Sequence, residues 1–312
     1  QEREMACLET AKTDLLKEFP TDIKGEILRF VAHRENQGFK NTKKIISPLR
    51  CLTTRGADLR DPESVKEALR KAQIDESTKA SYAIHYEVFL EFIGGSWQRP
   101  RYRIHQKLPW IPKEEELDQL IAALSPKIST LCQTLKETGA RIGEIAALKW
   151  TDIDFAQKVL YINNPEKGSF PRIKRISDKL SAMLNTLPRR REYVFSRKKS
   201  LDVSYYRQRK RIAFKLSNPR ILKIGFHTFR HWYGTMSYHK VRDIFQTKLE
   251  LGHKSVRNTE IYVHVEEALF GIGSDEFVSA VAKNVEEARK LVEVGFDYIC
   301  DFDGVKVFRK RK

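Results

Sequence analysis

Two arginines, a lysine, two histidines and a tyrosine in the second part of the chain could act together on a phosphate. Guanidinium groups stay charged and bind phosphate oxygens in pairs, and histidine titrates near neutral pH, so it can move protons. Taken singly, each residue has an ordinary structural explanation, such as a surface ion pair, a helix cap or a core aromatic. The order and spacing in which they occur together favour a shared role at a phosphate. The six residues are Arg141, Lys167, His227, Arg230, His253 and Tyr262.

Five of these six residues fall in three sequence blocks. The first block, at residues 137–154, reads ETGARIGEIAAL followed closely by WTDID. The second, at residues 227–231, reads HTFRH, and the third, at residues 251–265, contains LGHKS and TEIYVHV, with the tyrosine nine residues after the histidine. In this order the blocks resemble the tyrosine recombinase, or phage integrase, family over residues 113–265.

The resemblance implies an enzyme that cuts and rejoins DNA through a 3′-phosphotyrosyl bond to Tyr262. The bond energy is kept in that intermediate, so a free 5′ hydroxyl reseals the strand without metal, nucleotide or other cofactor. Tyrosine, with a pKa of about 10, is a poor nucleophile at neutral pH and needs a proton acceptor and a stabilised pentavalent phosphate. Arg141 and Arg230 would clamp the nonbridging oxygens of that phosphate.

The departing 5′ oxygen needs a proton, and the resemblance places the donor on a β-hairpin. Lys167, followed there by Gly168, is the predicted general acid. Lys174 lies on the same hairpin and remains an alternative. The hairpin also departs from the family pattern, because Phe170-Pro171 stands where polar residues are commoner, which leaves the shape of its loop open.

Two histidines and one glutamate complete the predicted site. His227 and His253 would bond to the phosphate or assist proton transfer. Glu144 would hold the first arginine in place, although an i,i+3 pair on a helix surface explains it equally well. His231 and Tyr233 lie just past the H-x-x-R part of the second block, residues 227–230, and we interpret them as packing or phosphate-positioning residues, not as catalytic ones.

The composition favours a nucleic-acid partner. The 312 residues include 58 Lys plus Arg and 41 Asp plus Glu, a net charge of +17. Such a surplus favours a polyanion because each neutralised phosphate releases counterions. An anionic membrane is the weaker alternative, since no stretch approaches the roughly 18 apolar residues of a spanning helix. The four cysteines form no C-x-x-C pair and no signal peptide is visible, so a reducing, cytoplasmic setting at DNA is expected.

Basic residues cluster between residues 189 and 215, where eleven basic and two acidic residues give a net charge of +9. A run of like charge is usually a solvated face, and this is the default for any single residue. Tyr205 and Tyr206 among the arginines favour a surface that grips phosphates. The side chains predicted to contact DNA are Lys40, Lys43, Lys44, Arg101, Arg103, Lys174, Arg207, Arg209 and Arg211.

The hydrophobic pattern divides the chain into a helical module, a linker and a larger domain. Apolar residues at helical spacing predict an all-helical, DNA-binding domain over residues 1–98. Residues 99–112 contain prolines and several basic residues, which predicts a linker along a charged partner. Residues 113–312 would form the catalytic domain, with short strands at 158–162 and 172–176. The predicted fold is mainly α with a small β-sheet, and the resemblance implies a two-domain clamp around the duplex.

Residues 266–312 extend past the predicted nucleophile. Apolar residues from Val278 to Val292 recur at helical spacing and predict a helix, and Asp303-Gly304 between two apolar runs predicts a hairpin. In the family such elements often dock on a neighbouring subunit, and a homotetramer acting on two specific DNA sites is the expected assembly. Folding back onto the same domain is an equally open alternative.

Two other functions fit part of the pattern. A type IB topoisomerase uses similar chemistry but relaxes supercoils as a monomer, and the helical N-terminal module favours the recombinase. A DNA-binding protein that has lost catalysis is the other alternative. The presence of every expected catalytic residue type argues against it.

Overall fold

The chain forms two compact units, residues 1–106 and 107–312, divided inside the segment that the sequence predicts as a linker. Each unit has its own hydrophobic core and is described by itself. The structure is a computed structural model that describes residues 19–39, 42–104, 107–270, 277–302 and 305–311.

The described part of the first unit is helical. Asp61 caps one of its helices, since its carboxylate accepts a hydrogen bond of 2.9 Å from the Glu63 N–H, and a proline follows in the first turn. Ile27, Leu69 and Phe89 are completely buried in the core. The helices are α1 (Thr21–Asn36), α2 (Thr42–Thr53), α3 (Pro62–Lys71) and α4 (Glu76–Phe92).

The second unit is mainly helical, which confirms the predicted fold class. Its first eight helices all precede residue 271. They are α5 (Glu114–Ala123), α6 (Pro126–Thr138), α7 (Ile142–Ala146), α8 (Asp178–Asn185), α9 (Lys198–Lys215), α10 (Phe226–Val241), α11 (Ile244–Leu251) and α12 (Glu260–Phe270). Helix α10 packs against both α6 and α12, and Phe229 of α10 is completely buried. The three helices thereby bring residues that are far apart in sequence to one place.

A three-stranded antiparallel sheet lies between α7 and α8. Its strands are β1 (Ile153–Asp154), β2 (Val159–Ile162) and β3 (Arg172–Arg175), in the order β1-β2-β3. The sequence predicts β2 and β3 but not the two-residue β1. Leu160 and Ile162 of β2 are buried in the core, which fixes the hairpin that carries Lys167 between β2 and β3.

The C-terminal segment corrects one prediction. Residues from Val278 to Ala282 belong to strand β4 (Phe277–Ala282), and only the later part of the predicted helix is helical, as α13 (Val285–Glu293). Ala280 of β4 pairs with Phe308, so long-range strand pairing overrides the local periodicity. The two strands of the predicted hairpin are β5 (Asp297–Phe302) and β6 (Val305–Arg311), which pair antiparallel, and its turn, Asp303-Gly304, lies outside the described residues. The sheet order is β4-β6-β5.

In the described ranges, no helix combines the length and the hydropathy that crossing a bilayer would require. The thiols of Cys51, Cys132 and Cys300 are free, and Cys132 is buried in the core of the second unit. Cys7 lies outside the described residues.

Candidate active site

Arg141 is held at the junction between α6 and α7. Helix α6 ends at Gly139, whose φ of +62° is a left-handed conformation that favours glycine. The Arg141 guanidinium then donates to Glu144 Oε1 at 3.2 Å, to the Glu166 carbonyl at 3.3 Å and to the Ser169 hydroxyl. Backbone and hairpin contacts together fix the direction of this cation.

Glu144 is a buried ion-pair partner and not part of a surface pair. Besides Arg141, it accepts a hydrogen bond of 2.6 Å from Arg172 on β3. Burial disfavours its charged form, but Arg172, the Arg141 N–H and the charge of Arg230 together outweigh burial, so the pKa of the Glu144 carboxyl lies below its ordinary value. One carboxylate therefore ties the first arginine to the hairpin.

Arg230 is buried in the first part of α10. Its guanidinium donates to the Gly139 carbonyl at 2.6 Å and to the Leu251 carbonyl at 2.8 Å, which joins the ends of α6 and α11. Burial and the nearby charge of Arg141 lower the pKa of Arg230 to about 10. Two guanidinium groups that repel each other in a buried site favour the binding of an anion between them.

The two predicted histidines lie close to these cations. His227 occupies the first turn of α10, and burial together with the charge of Arg230 lowers its pKa. His253 follows α11, and its Nδ1 lies 2.9 Å from the Thr259 hydroxyl. Burial and the charge of Arg230 lower the pKa of His253 to about 3, so both imidazoles are poorer proton acceptors than a free histidine.

Tyr262 lies on α12 with its ring against α10. A Cβ on Gly234 would lie 2.6 Å from Tyr262 Cζ, so this close approach requires glycine. The Tyr262 ring is parallel to that of His253, with 6.4 Å between the centroids, and its hydroxyl lies 3.4 Å from His231 Nδ1. Burial raises the pKa of Tyr262, while the charges of Arg230 and Arg141 act in the opposite direction.

Lys167 is exposed on a single 3-10 turn, Glu166–Gly168, between β2 and β3. Its φ of +54° is unusual for a residue other than glycine, and such strained positions cluster at functional sites. Its charge contributes to lowering the pKa of His227, which places Lys167 within electrostatic range of the site. All six predicted residues therefore lie in one region of the second unit.

Comparison with known protein families identifies the family to which this chain belongs. A model of the phage integrase family matches residues 112–268, half of the chain. The chain belongs to the phage integrase family. Tyrosine recombinase XerA of Saccharolobus solfataricus is 25% identical over 206 residues, which cover 64% of this chain and 67% of that protein. A tyrosine recombinase of Thermosipho africanus is 29% identical over 227 residues, which cover 66% of this chain and 80% of that protein.

Solved structures of this family share the fold. Lambda integrase, as a dimer bound to a COC′ core site, matches with a TM-score of 0.59 at 15% identity, over 80% of this chain and 97% of the solved chain. XerH recombinase, in a pre-cleavage complex with its difH substrate, matches with a TM-score of 0.56 at 22% identity, over 73% of this chain and 78% of the solved chain. The phage integrase fold is therefore present in this protein.

Lys174, predicted to contact DNA, is instead buried. Its side chain points inward from β3, and its ammonium donates to the Tyr233 hydroxyl at 2.9 Å. Tyr233 in turn donates to Glu250 on α11 at 2.8 Å. Burial lowers the pKa of Lys174 to about 8. Lys174 is therefore buried and engaged by Tyr233, whereas Lys167 on the same hairpin is exposed.

The other predicted DNA contacts are mostly exposed. Arg207 and Arg211 project from α9, whereas Arg209 donates to the Ile224 carbonyl at 2.6 Å and is half-buried. In the first unit Lys44, Arg101 and Arg103 are exposed. Lys40 lies outside the described residues, as does the side chain of Lys43.

Sequence reasoning did not assign Arg172 to the site, and it gave His231 only a packing or phosphate-positioning role. Arg172 pairs with Glu144, and its position after a predicted hairpin turn was the only signal in the sequence. His231 contacts the Tyr262 hydroxyl, and its place beside Arg230 in the second block was the available signal. Their positions at the site depend on how β3 and α12 pack against neighbouring elements, which the sequence alone does not predict.

Proposed function

We propose that this member of the phage integrase family cuts and rejoins double-stranded DNA at specific sites through a covalent bond between Tyr262 and a 3′ phosphate. One observation carries this proposal. A buried tyrosine lies within electrostatic range of Arg141 and Arg230, two arginines held in place by backbone carbonyls and a buried carboxylate. Such a preorganised pair of cations stabilises the charge that a phosphate gains under attack.

Each residue then has one task in the reaction. Arg141 and Arg230 bind the nonbridging oxygens, and His227 and His253 donate further hydrogen bonds to the phosphate or assist proton transfer. The Tyr262 oxygen attacks phosphorus, the bond to the 5′ oxygen breaks, and Lys167 gives that oxygen a proton. Attack by another 5′ hydroxyl reverses these steps and releases the tyrosine.

The unit formed by residues 1–106 and the unit formed by residues 107–312 would contact the duplex together, joined by residues 99–112. Exposed arginines of α9 support a phosphate-binding surface on the second unit. Four subunits would act on two DNA sites, and residues 266–312 would contact either a neighbouring subunit or their own domain. The DNA complexes of lambda integrase and XerH support double-stranded DNA as the partner.

A covalent capture experiment tests this function. Sheared genomic DNA of the source organism is incubated with the protein, adducts are isolated under denaturing conditions, and the attached DNA is sequenced. A nicked duplex carrying the recovered sequence then serves as a suicide substrate. We expect an adduct with wild-type protein, none with Tyr262→Phe, and an undiminished adduct with Tyr193→Phe, which changes an exposed tyrosine.

The same materials separate the competing functions. Relaxation of a supercoiled plasmid that lacks the recovered sequence would indicate a topoisomerase. Binding to DNA without any adduct would indicate a protein that has lost catalysis. Strand exchange between two plasmids that carry the sequence, and not between plasmids without it, is the result that site-specific recombination requires.

A further inference from the structure

His231 contacts the atom that would attack DNA. Its Nδ1 lies 3.4 Å from the Tyr262 hydroxyl, a separation at the long end for a hydrogen bond. Catalytic hydrogen bonds are often long before substrate binds and tighten in the complex. Among the described residues, the Tyr262 hydroxyl makes no other hydrogen bond, so His231 is its partner in this structure.

The other two histidines are less well placed to receive a proton from Tyr262. The His253 ring lies parallel to the tyrosine ring at a centroid distance of 6.4 Å, and its Nδ1 is engaged by Thr259 at 2.9 Å. His227 meets His231 edge to face, with 4.6 Å between the centroids, and His231 in turn lies 5.9 Å from the Tyr262 ring.

The surroundings of His231 keep its imidazole neutral before DNA binds, and they also make it a weaker proton acceptor than a free histidine. It is flanked by His227 and Arg230 on α10 and by Tyr262 on α12. Burial and the charges of His227 and Arg230 lower the pKa of His231 to about 4. A bound phosphate brings negative charge to the same cations, which raises the proton affinity of the imidazole as the reaction begins.

The backbone around His231 holds the tyrosine in contact with it. Gly234 lies one turn further along α10, and its missing side chain leaves the space that the Tyr262 ring occupies. One turn beyond Tyr262, Glu266 binds His239 at 2.7 Å and also pairs with Arg242. These contacts anchor α12 on α10 at two points and fix the hydroxyl near His231.

We propose that His231 is the general base that takes the proton from the Tyr262 hydroxyl during cleavage, and this rests on the proposed role of Tyr262 as nucleophile. The O–H bond of Tyr262 breaks, its proton moves to His231 Nδ1, and the oxygen forms the bond to phosphorus. The bond to the 5′ oxygen breaks, and that oxygen takes its proton from Lys167. In resealing, the imidazolium of His231 returns the proton to the departing tyrosine oxygen.

Two substrates distinguish a base at Tyr262 from an acid at the leaving group. One is the nicked duplex carrying the recovered site, and the other has sulfur in place of the bridging 5′ oxygen, which leaves as a thiolate without needing a proton. We expect His231→Phe to lower the single-turnover cleavage rate of both duplexes by about 100-fold or more. Lys167→Ala should cleave the oxygen duplex more slowly than wild type does. On the sulfur duplex its cleavage rate should be restored.

A matched control and a second variant distinguish loss of the base from a folding defect as the cause of slow cleavage. His264→Phe changes an exposed histidine on α12 and should cleave at the wild-type rate. His231→Gln keeps a polar side chain but removes the base, and it should bind the duplex as tightly as wild type while cleaving as slowly as His231→Phe. Added imidazole should restore part of the cleavage by His231→Ala.

The pH profile gives a readout that a packing role would not change. Wild-type cleavage should vary little between about pH 6 and pH 8, whereas that of His231→Gln should rise about tenfold per pH unit because hydroxide must remove the proton. The proposal is overturned if the sulfur duplex restores the cleavage rate of the His231 variants. It is also overturned if His231→Gln cleaves at the wild-type rate with an unchanged pH profile. Failure of wild-type protein to form any adduct would instead overturn the proposed function.

Discussion

Tyr262 rests against Gly234 so closely that a single added methyl group would overlap its ring. The distance from an ideal Cβ on Gly234 to Tyr262 Cζ is 2.6 Å, and the distances to the two Cε atoms are 2.7 and 2.9 Å. Real Cβ atoms do not approach other atoms so closely, and in a close-packed interior the tyrosine would have to move. The position of the proposed nucleophile therefore depends on Gly234, which has no side chain that could take part in the reaction.

Gly234→Ala should displace Tyr262 and lower DNA cleavage at least about tenfold, because a misplaced reacting group loses its alignment with the phosphate. DNA affinity should stay near that of wild type, and the free energy of unfolding should fall by about 1–3 kcal/mol. Gly25→Ala is the control, since its Cβ meets no atom within 4 Å in α1. Cleavage of a suicide duplex and chemical denaturation measure both effects, and wild-type cleavage by Gly234→Ala would contradict the account.

Glu144→Gln should destabilise the second unit and slow cleavage. The change leaves Arg141 and Arg172 without their shared buried counterion, and breaking a buried ion pair typically costs about 3–5 kcal/mol. Glu115→Gln, which changes an exposed carboxylate on α5, should have little effect on either property. Thermal melting and single-turnover cleavage provide the comparison, and equal behaviour of the two variants would show that Glu144 does not position Arg141.

The DNA-free protein should lose stability as the pH falls from about 7 towards 5. Burial lowers the pKa of His227, His231 and His253 in the folded protein. In the unfolded chain these groups take up protons below about pH 6.5, so the unfolded state binds more protons and acid favours it. Each such histidine contributes up to about 1.4 kcal/mol per pH unit.

Substitution of one of these histidines tests the assignment of the pH effect. The free energy of unfolding of His231→Phe should fall less steeply between pH 6.5 and 5 than that of wild type, whereas His264→Phe should follow wild type. Denaturant titrations at four or five pH values supply the slopes. An unchanged slope in His231→Phe would mean that this imidazole titrates normally in the folded protein.

Lys174 and Arg211 should differ in how they affect the salt dependence of DNA binding. Lys174 is buried and bonded to Tyr233, so Lys174→Met should leave the slope of log affinity against log salt unchanged. Arg211 is exposed on α9, and Arg211→Met should reduce that slope by about one if it contacts a phosphate. Fluorescence anisotropy over a range of salt concentrations measures both, and a reduced slope for Lys174→Met would restore it as a DNA contact.

The resemblance of the three sequence blocks to the family predicted which residues meet at the site. The blocks containing Arg141, His227, Arg230, His253 and Tyr262 lie on α6–α7, α10 and α11–α12. The positions of the hairpin strands β2 and β3 were also predicted. Neither the resemblance nor the spacing of residues in the sequence could predict the direction in which each side chain points.

Strand β3 shows why the direction was missed. In this strand Ile173 is 60% exposed and Lys174 only 7% exposed, which reverses the usual rule that apolar residues face inward. The inward position is tolerated because Tyr233 accepts a hydrogen bond from the ammonium, while Glu250, which accepts from Tyr233, supplies a nearby opposite charge. The strand β4 was missed for a related reason, since its partner β6 lies more than twenty residues later in the chain. Both errors arise from contacts that local periodicity does not contain.

Mass spectrometry of the covalent adduct tests the central claim most directly. Wild-type protein trapped on a suicide duplex is digested with protease and nuclease, and the peptide that carries a nucleotide is sequenced. The account predicts a nucleotide joined through its 3′ phosphate to Tyr262, and no modified peptide from Tyr262→Phe. A nucleotide on another residue, or cleaved DNA without any protein-linked nucleotide, would contradict it.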